Sequence, residues 1–145
     1  MKKTIVLLVS VFLAFCLSSC ANINDESAYR AVEEDYDDVE IIAIVPVYLD
    51  GEKKDTVCIA RTSEGIVAGE LYVSTASMDV EFEPRLVFDN NNREFFKARV
   101  SERLTLHGFS KERESISESY QNESLEIVEF EEEGKTYYYY IVYPD

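Results

Sequence analysis

The sequence predicts a mainly β domain, an antiparallel sandwich or partly open barrel of about seven strands with one short helix near residues 110–120; an α+β arrangement is the alternative. Three observations carry that expectation. From Val39 to Tyr143 apolar residues alternate with polar ones or form short β-branched runs, the patterns of half-buried and fully buried strands. Asp50-Gly51, Ser63-Glu64-Gly65, Asp89-Asn90-Asn91-Asn92 and Glu132-Glu133-Gly134-Lys135 punctuate those runs with turn-forming residues. Apolar residues make up 46% of the 145, enough for a core, and the length suits one domain with an appendage.

The chain begins with Lys2 and Lys3, followed by an apolar run from Ile5 to Leu17 that only Ser10 interrupts. That run is too short to span a membrane, which takes about 20 apolar residues, and it has the length and flanks of a secretory leader. Leu17-Ser18-Ser19-Cys20 follows at once and resembles the lipobox of bacterial lipoprotein precursors. The resemblance covers residues 1–20. It implies a signal peptide over residues 1–19, cleavage before Cys20, and palmitate-type acyl chains on Cys20 as the lipidation site. Two or three such chains hold a protein on a membrane without any spanning helix, because each buried methylene contributes about 0.8 kcal/mol. In double-membrane bacteria an Asp after the lipidated Cys marks inner-membrane retention. Ala21 stands there, which favours the outer membrane where one exists and otherwise the outer face of the cell membrane.

Ala21 to Asp38 holds seven acids, Asp25, Glu26, Glu33, Glu34, Asp35, Asp37 and Asp38, against Arg30 alone. So acidic a stretch reads as a solvated tether over residues 20–38. The alternative is a short helix near Ser27–Tyr36, with Ala28, Ala31 and Val32 as a thin apolar face.

Residues 39–145 form the expected single globular domain. Val39 to Leu49 is apolar on both faces, as in a central strand, with a break at Pro46. Thr56 to Arg61 returns, and Ile66 to Thr75 forms a third strand weakened by Gly69. Met78, Val80, Phe82, Leu86 and Phe88 alternate with Asp79, Glu81, Glu83 and Arg85. Phe96, Ala98, Val100, Leu104 and Leu106 alternate with Lys97, Arg99 and Arg103 on one return strand. Pairing the two segments places Glu83 against Arg99 and Asp79 against Arg103. The basic stripe then reads as cross-strand charge pairing rather than an anion site. Ser110 to Tyr120 is a polar helix or loop with Ile116 and Tyr120 on one side, and Leu125–Glu131 and Thr136–Tyr143 form a closing hairpin.

Net charge is −15 and the isoelectric point about 4.4, which opposes binding to nucleic acid. No nucleophile elbow, phosphate-binding glycine loop or paired-histidine zinc motif occurs. His107 is the single histidine, so a triad would depend on it alone. Cys58, between Val57 and Ile59, reads as an inert buried thiol. No catalytic residue, metal ligand or cofactor is expected. The acidic runs Glu129–Glu133 and Asp89–Asn92 lack the spacing of a calcium loop.

One segment stands out. Tyr137, Tyr138, Tyr139, Tyr140 and Tyr143 share a strand, and period two sends one set of rings inward and leaves the other as a candidate interface. The expected role is therefore an acidic, non-enzymatic, membrane-anchored envelope lipoprotein that binds or scaffolds an envelope protein. A small-ligand or glycan module using the tyrosine strand is the alternative, and an envelope hydrolase is disfavoured.

Overall fold

The structure, a computed structural model, describes residues 23–88, 95–100 and 103–143. The leader, Cys20 and the Asp89–Asn92 loop lie outside them, as do the side chains of residues 95–104. The described chain forms α1 (Asp25–Glu33), β1 (Glu40–Leu49), β2 (Glu52–Thr62), β3 (Gly65–Val73), β4 (Val80–Val87), β5 (Phe95–Val100), β6 (Arg103–Ser110), α2 (Arg113–Ser119), β7 (Ser124–Glu132) and β8 (Lys135–Tyr143). The strands make two four-stranded antiparallel sheets, ordered β1-β2-β3-β4 and β5-β6-β8-β7. The expected mainly β class holds.

The main core lies between the sheets. Val45, Val47, Leu49, Val57, Ile59, Ile66, Ala68 and Leu86 of the first sheet meet Phe130, Tyr137, Tyr139 and Ile141 of the second. Phe88 sits among Phe109, Phe130 and Tyr137 in edge-on contacts at centroid separations of 4.7–5.8 Å.

A second core lies on the far side of the first sheet, where α1 replaces the expected tether. Ala28, Ala31 and Val32 pack on Cys58, Ala60, Val67, Leu71 and Phe82. The helix is closed by Asn24, whose side chain accepts from the Ser27 N–H while Ser27 Oγ accepts from the Asn24 N–H, both at 2.9 Å. Asp25 and Glu26 in the first turn complement the helix dipole. Two alanines let the helix approach closely, and an apolar sheet face that would otherwise be wet supplies the stabilisation that acidic composition hides.

Three strand expectations are corrected. β1 is an edge strand rather than a central one. It is apolar on both faces because α1 covers one side and the second sheet the other, and Pro46 stands where an edge tolerates it. The segment expected as one return strand over residues 96–106 is a tight hairpin of β5 and β6, with Val100 opposite Arg103. β4 accordingly pairs with β3 instead, and Glu83 lies opposite Glu70, not Arg99. Finally, the alternation from Met78 to Phe88 does not mark one face. Met78 is exposed in the turn before β4 at φ 62°, and Arg85 is an extra residue between the pairs Gly69–Pro84 and Ala68–Leu86. That bulge switches faces, so Phe82 lies under α1 while Leu86 faces the second sheet.

Candidate functional site: an outward tyrosine face and a buried polar chain

β8 divides its tyrosines by strand period. Tyr137 and Tyr139 point into the core with Ile141, at 4%, 0% and 0% exposure. Tyr143 lies on the same side, half-buried, and its hydroxyl donates to Glu126 Oε2 at 2.7 Å. These three of the five candidate interface tyrosines are therefore structural. Tyr138 and Tyr140 point the other way and are half-buried on the outer face of the second sheet.

The register shows what surrounds those two rings. Tyr140 lies between Ile127 of β7 and Gly108 of β6, and Tyr138 between Glu129 and Ser110. The Tyr140 ring lies over Gly108, where a Cβ would meet its hydroxyl at 2.6 Å and its ring at 2.7 Å and the ring would have to shift. The helix α2 lies against β6 and brings Tyr120 alongside Tyr140, with ring centroids 5.9 Å apart. Leu125 and Ile127 extend the apolar surface, and exposed Glu129 and Glu131 edge it along β7. Glu112 stands at the N-cap of α2 and makes no side-chain cap hydrogen bond; Ser110 stays in β6, where its hydroxyl accepts from the Glu112 N–H at 3.2 Å. Ile116 anchors the helix at 3% exposure.

On the inner face of the second sheet a short chain of polar groups links β6 to β8. His107 is fully buried, with Nε2 2.7 Å from Thr105 Oγ1 and Nδ1 2.7 Å from the Tyr139 hydroxyl. Burial lowers its pKa to about 4, partly offset by the charge of Glu70, so the imidazole is neutral at pH 7. Burial likewise raises the Tyr139 phenol far above its ordinary value, with Asp55 and Glu70 adding to the rise.

Asp55 of β2 and Glu70 of β3 point into the same interlayer. Asp55 Oδ1 accepts from the Thr56 N–H at 2.7 Å. Desolvation, opposed by that hydrogen bond and reinforced by the charge and hydrogen bond of Glu70, raises the Asp55 carboxyl to about 7. Arg85, aimed by the bulge, places Nε and Nη2 on Glu70 Oε2 at 2.9 and 2.7 Å, and Nη2 also reaches Glu83 Oε2 at 3.0 Å. At the opposite end Arg61 ties the two sheets together through Glu132 Oε2 at 3.0 Å and the Glu131 carbonyl at 2.7 Å, and also pairs with Glu40.

The structure therefore places His107, the single histidine, inside the core. Cys58 is buried as expected, its thiol pushed up to about 12 by desolvation and the charge of Asp25. Sequence reasoning did not single out Asp55, Glu70 or Glu126 as inward-facing. A signal existed for Glu70, a carboxylate inside the apolar run Gly65-Ile66-Val67-Ala68-Gly69-Glu70-Leu71. Among the described residues, no group of three or more His, Cys, Asp or Glu side chains is placed to hold a metal ion. Compared with protein-family models, with curated proteins and with solved structures, the chain finds no match in any of the three.

Proposed function

We propose that this chain is a lipoprotein of the bacterial cell envelope, held by acyl chains on Cys20, whose β-sandwich binds or scaffolds another envelope protein. The observation that carries this reading is the join between anchor and fold. The Leu17-Ser18-Ser19-Cys20 pattern ends three residues before Ile23, which packs beside α1 on the second core. Three extended residues reach only about 10 Å, so a lipidated Cys20 brings the sandwich to the membrane surface rather than hanging it on a stalk. Partners on the same surface then meet it within two dimensions.

A binding role rather than a reaction is supported by how the reactive side chains are engaged. His107 is neutral and sealed between Thr105 and Tyr139, and Cys58 is sealed beneath α1. Tyr138 and Tyr140 remain half-exposed and outward, amphipathic rings of the kind enriched at protein interfaces. The same rings could stack on a glycan, although the chain has no Trp to strengthen such stacking. Replacing Cys20→Ala tests the anchor. The precursor should go unprocessed or the domain should move to the soluble fraction; processing at the same position with retention in the membrane pellet would refute it. A glycan array with the isolated domain separates the carbohydrate alternative from protein binding.

A further inference from the structure

We infer that the outer face of the second sheet, centred on Tyr138 and Tyr140, docks a Lys/Arg-rich segment of the partner protein. This inference rests on the protein-binding reading and gives that partner its chemistry. Two features of the face meet in it. The first is the apolar and aromatic surface of Leu125, Ile127, Tyr138, Tyr140 and Tyr120, half-buried and open on the side away from the core.

The second feature is the charge beside that surface. Most other described acids of the sheets are engaged: Glu40 and Glu132 pair with Arg61, Glu70 and Glu83 with Arg85 and Glu52 with Lys54, while Asp55 accepts from the Thr56 N–H and Glu81 and Glu126 accept from the Tyr72 and Tyr143 hydroxyls. Glu129 lies directly beside Tyr138 and Glu131 two residues further along the same edge, both exposed, and neither has an ion-pair partner among the described residues. On and around α2 the exposed acids Glu112, Glu114, Glu118 and Glu123 outnumber the exposed bases Lys111 and Arg113.

Three occupants are conceivable for such a face, and charge separates them. A second copy of a chain carrying −15 would bring unmatched acids against unmatched acids. An anionic lipid surface would be repelled in the same way. A basic segment satisfies both features at once, its guanidinium or ammonium groups lying over the tyrosine rings and its charge meeting Glu129 and Glu131.

The test uses the full lipidated protein in its own envelope, with the photocrosslinking residue p-benzoylphenylalanine replacing Tyr138. The crosslinked partner peptide is identified by mass spectrometry, and capture is measured with and without Glu129→Lys and Glu131→Lys. The expected peptide carries an excess of Lys and Arg. Reversing the two rim charges should weaken capture about tenfold at low salt, the combined strength of two exposed ion pairs. The deficit should shrink in 1 M salt, where the Debye length is about 3 Å. Glu33→Lys with Glu34→Lys, on the opposite side of the molecule, changes net charge equally and should leave capture unchanged.

A partner peptide without basic excess, or equal losses from both pairs of reversals, overturns the inference while leaving the protein-binding reading intact. Absence of any captured protein refutes both. If the reversed protein melts lower than the parent, Glu129→Gln with Glu131→Gln, which removes charge without inverting it, decides the outcome at about half the effect in log affinity.

Discussion

Two buried titratable groups in the same interlayer push stability in opposite directions with pH, and separating them tests the polar chain directly. The pKa of His107 falls from 6.5 to about 4. Between those values the unfolded chain takes up a proton that the folded chain refuses, so stability is lost as pH falls from 6.5 toward 4. The Asp55 value rises from 3.8 to about 7. Across that interval the folded chain keeps a proton that the unfolded chain releases, so stability is lost as pH rises toward 7. At 1.36 kcal/mol per unit the histidine amounts to about 3 kcal/mol. The carboxyl amounts to about 2 kcal/mol once the solvent that reaches it is allowed for. The parent protein should therefore show little net dependence on these two groups between pH 4 and 6.5.

Each variant unmasks the other group. Asn at position 55 keeps an acceptor for the Thr56 N–H and a donor toward Glu70, so Asp55→Asn imitates the protonated carboxyl. It should be more stable than the parent by about 1–2 kcal/mol at pH 7.5, with the advantage gone by pH 4. Conversely, His107→Gln should be less stable than the parent at pH 7.5 and should recover ground relative to it as pH falls from 6.5 to 4. Urea unfolding followed by circular dichroism at pH 4.5, 5.5, 6.5 and 7.5 supplies both differences, and subtracting the parent removes the shared response of the other carboxylates. Should Asp55→Asn prove less stable than the parent at pH 7.5, or the difference not change with pH, the protonated Asp55–Glu70 pair is not present in solution.

Three further outcomes are expected. Gly108→Ala should lower stability by about 1–3 kcal/mol through the Tyr140 contact, and combining it with Tyr140→Ala should remove most of that loss in a thermal-melt cycle. Tyr139→Phe should cost about 1–2 kcal/mol by removing the buried hydrogen bond to His107 Nδ1, more than Tyr138→Thr on the half-exposed face, and chemical unfolding ranks the two. The Cys58 thiol should resist a thiol reagent in the native protein and react promptly in denaturant; native labelling at the rate of a free thiol would mean that α1 does not cover it.

Much of the fold was legible in the residues alone. Period-two alternation and turn chemistry identify β structure, the Leu125–Tyr143 hairpin, and which of Tyr137–Tyr140 share a face, because these depend on local geometry. What local pattern does not carry is which strand pairs with which. Residues 96–106 resume the same apolar parity after the polar run Ser101-Glu102-Arg103, although Val100 pairs with Arg103 in a hairpin, and the extra residue Arg85 reverses the meaning of the alternation on either side of it. The helix α1 stood in the sequence only as the alternative to a tether, with Ala28, Ala31 and Val32 as its face, for a related reason: seven acids from residue 21 to 38 read as solvated, and the sheet face of Cys58, Ala60, Val67, Leu71 and Phe82 stabilises it. The Asp55–Glu70–Arg85 group draws on β2, β3 and β4 and the Thr105–His107–Tyr139 group on β6 and β8, so each is assembled by strand pairing, which local pattern does not specify. Sequence determined the β character of the domain and the turns between most strands; burial against distant partners decided pairing, layer order, the helix over residues 25–33, and which charges titrate far from their ordinary values.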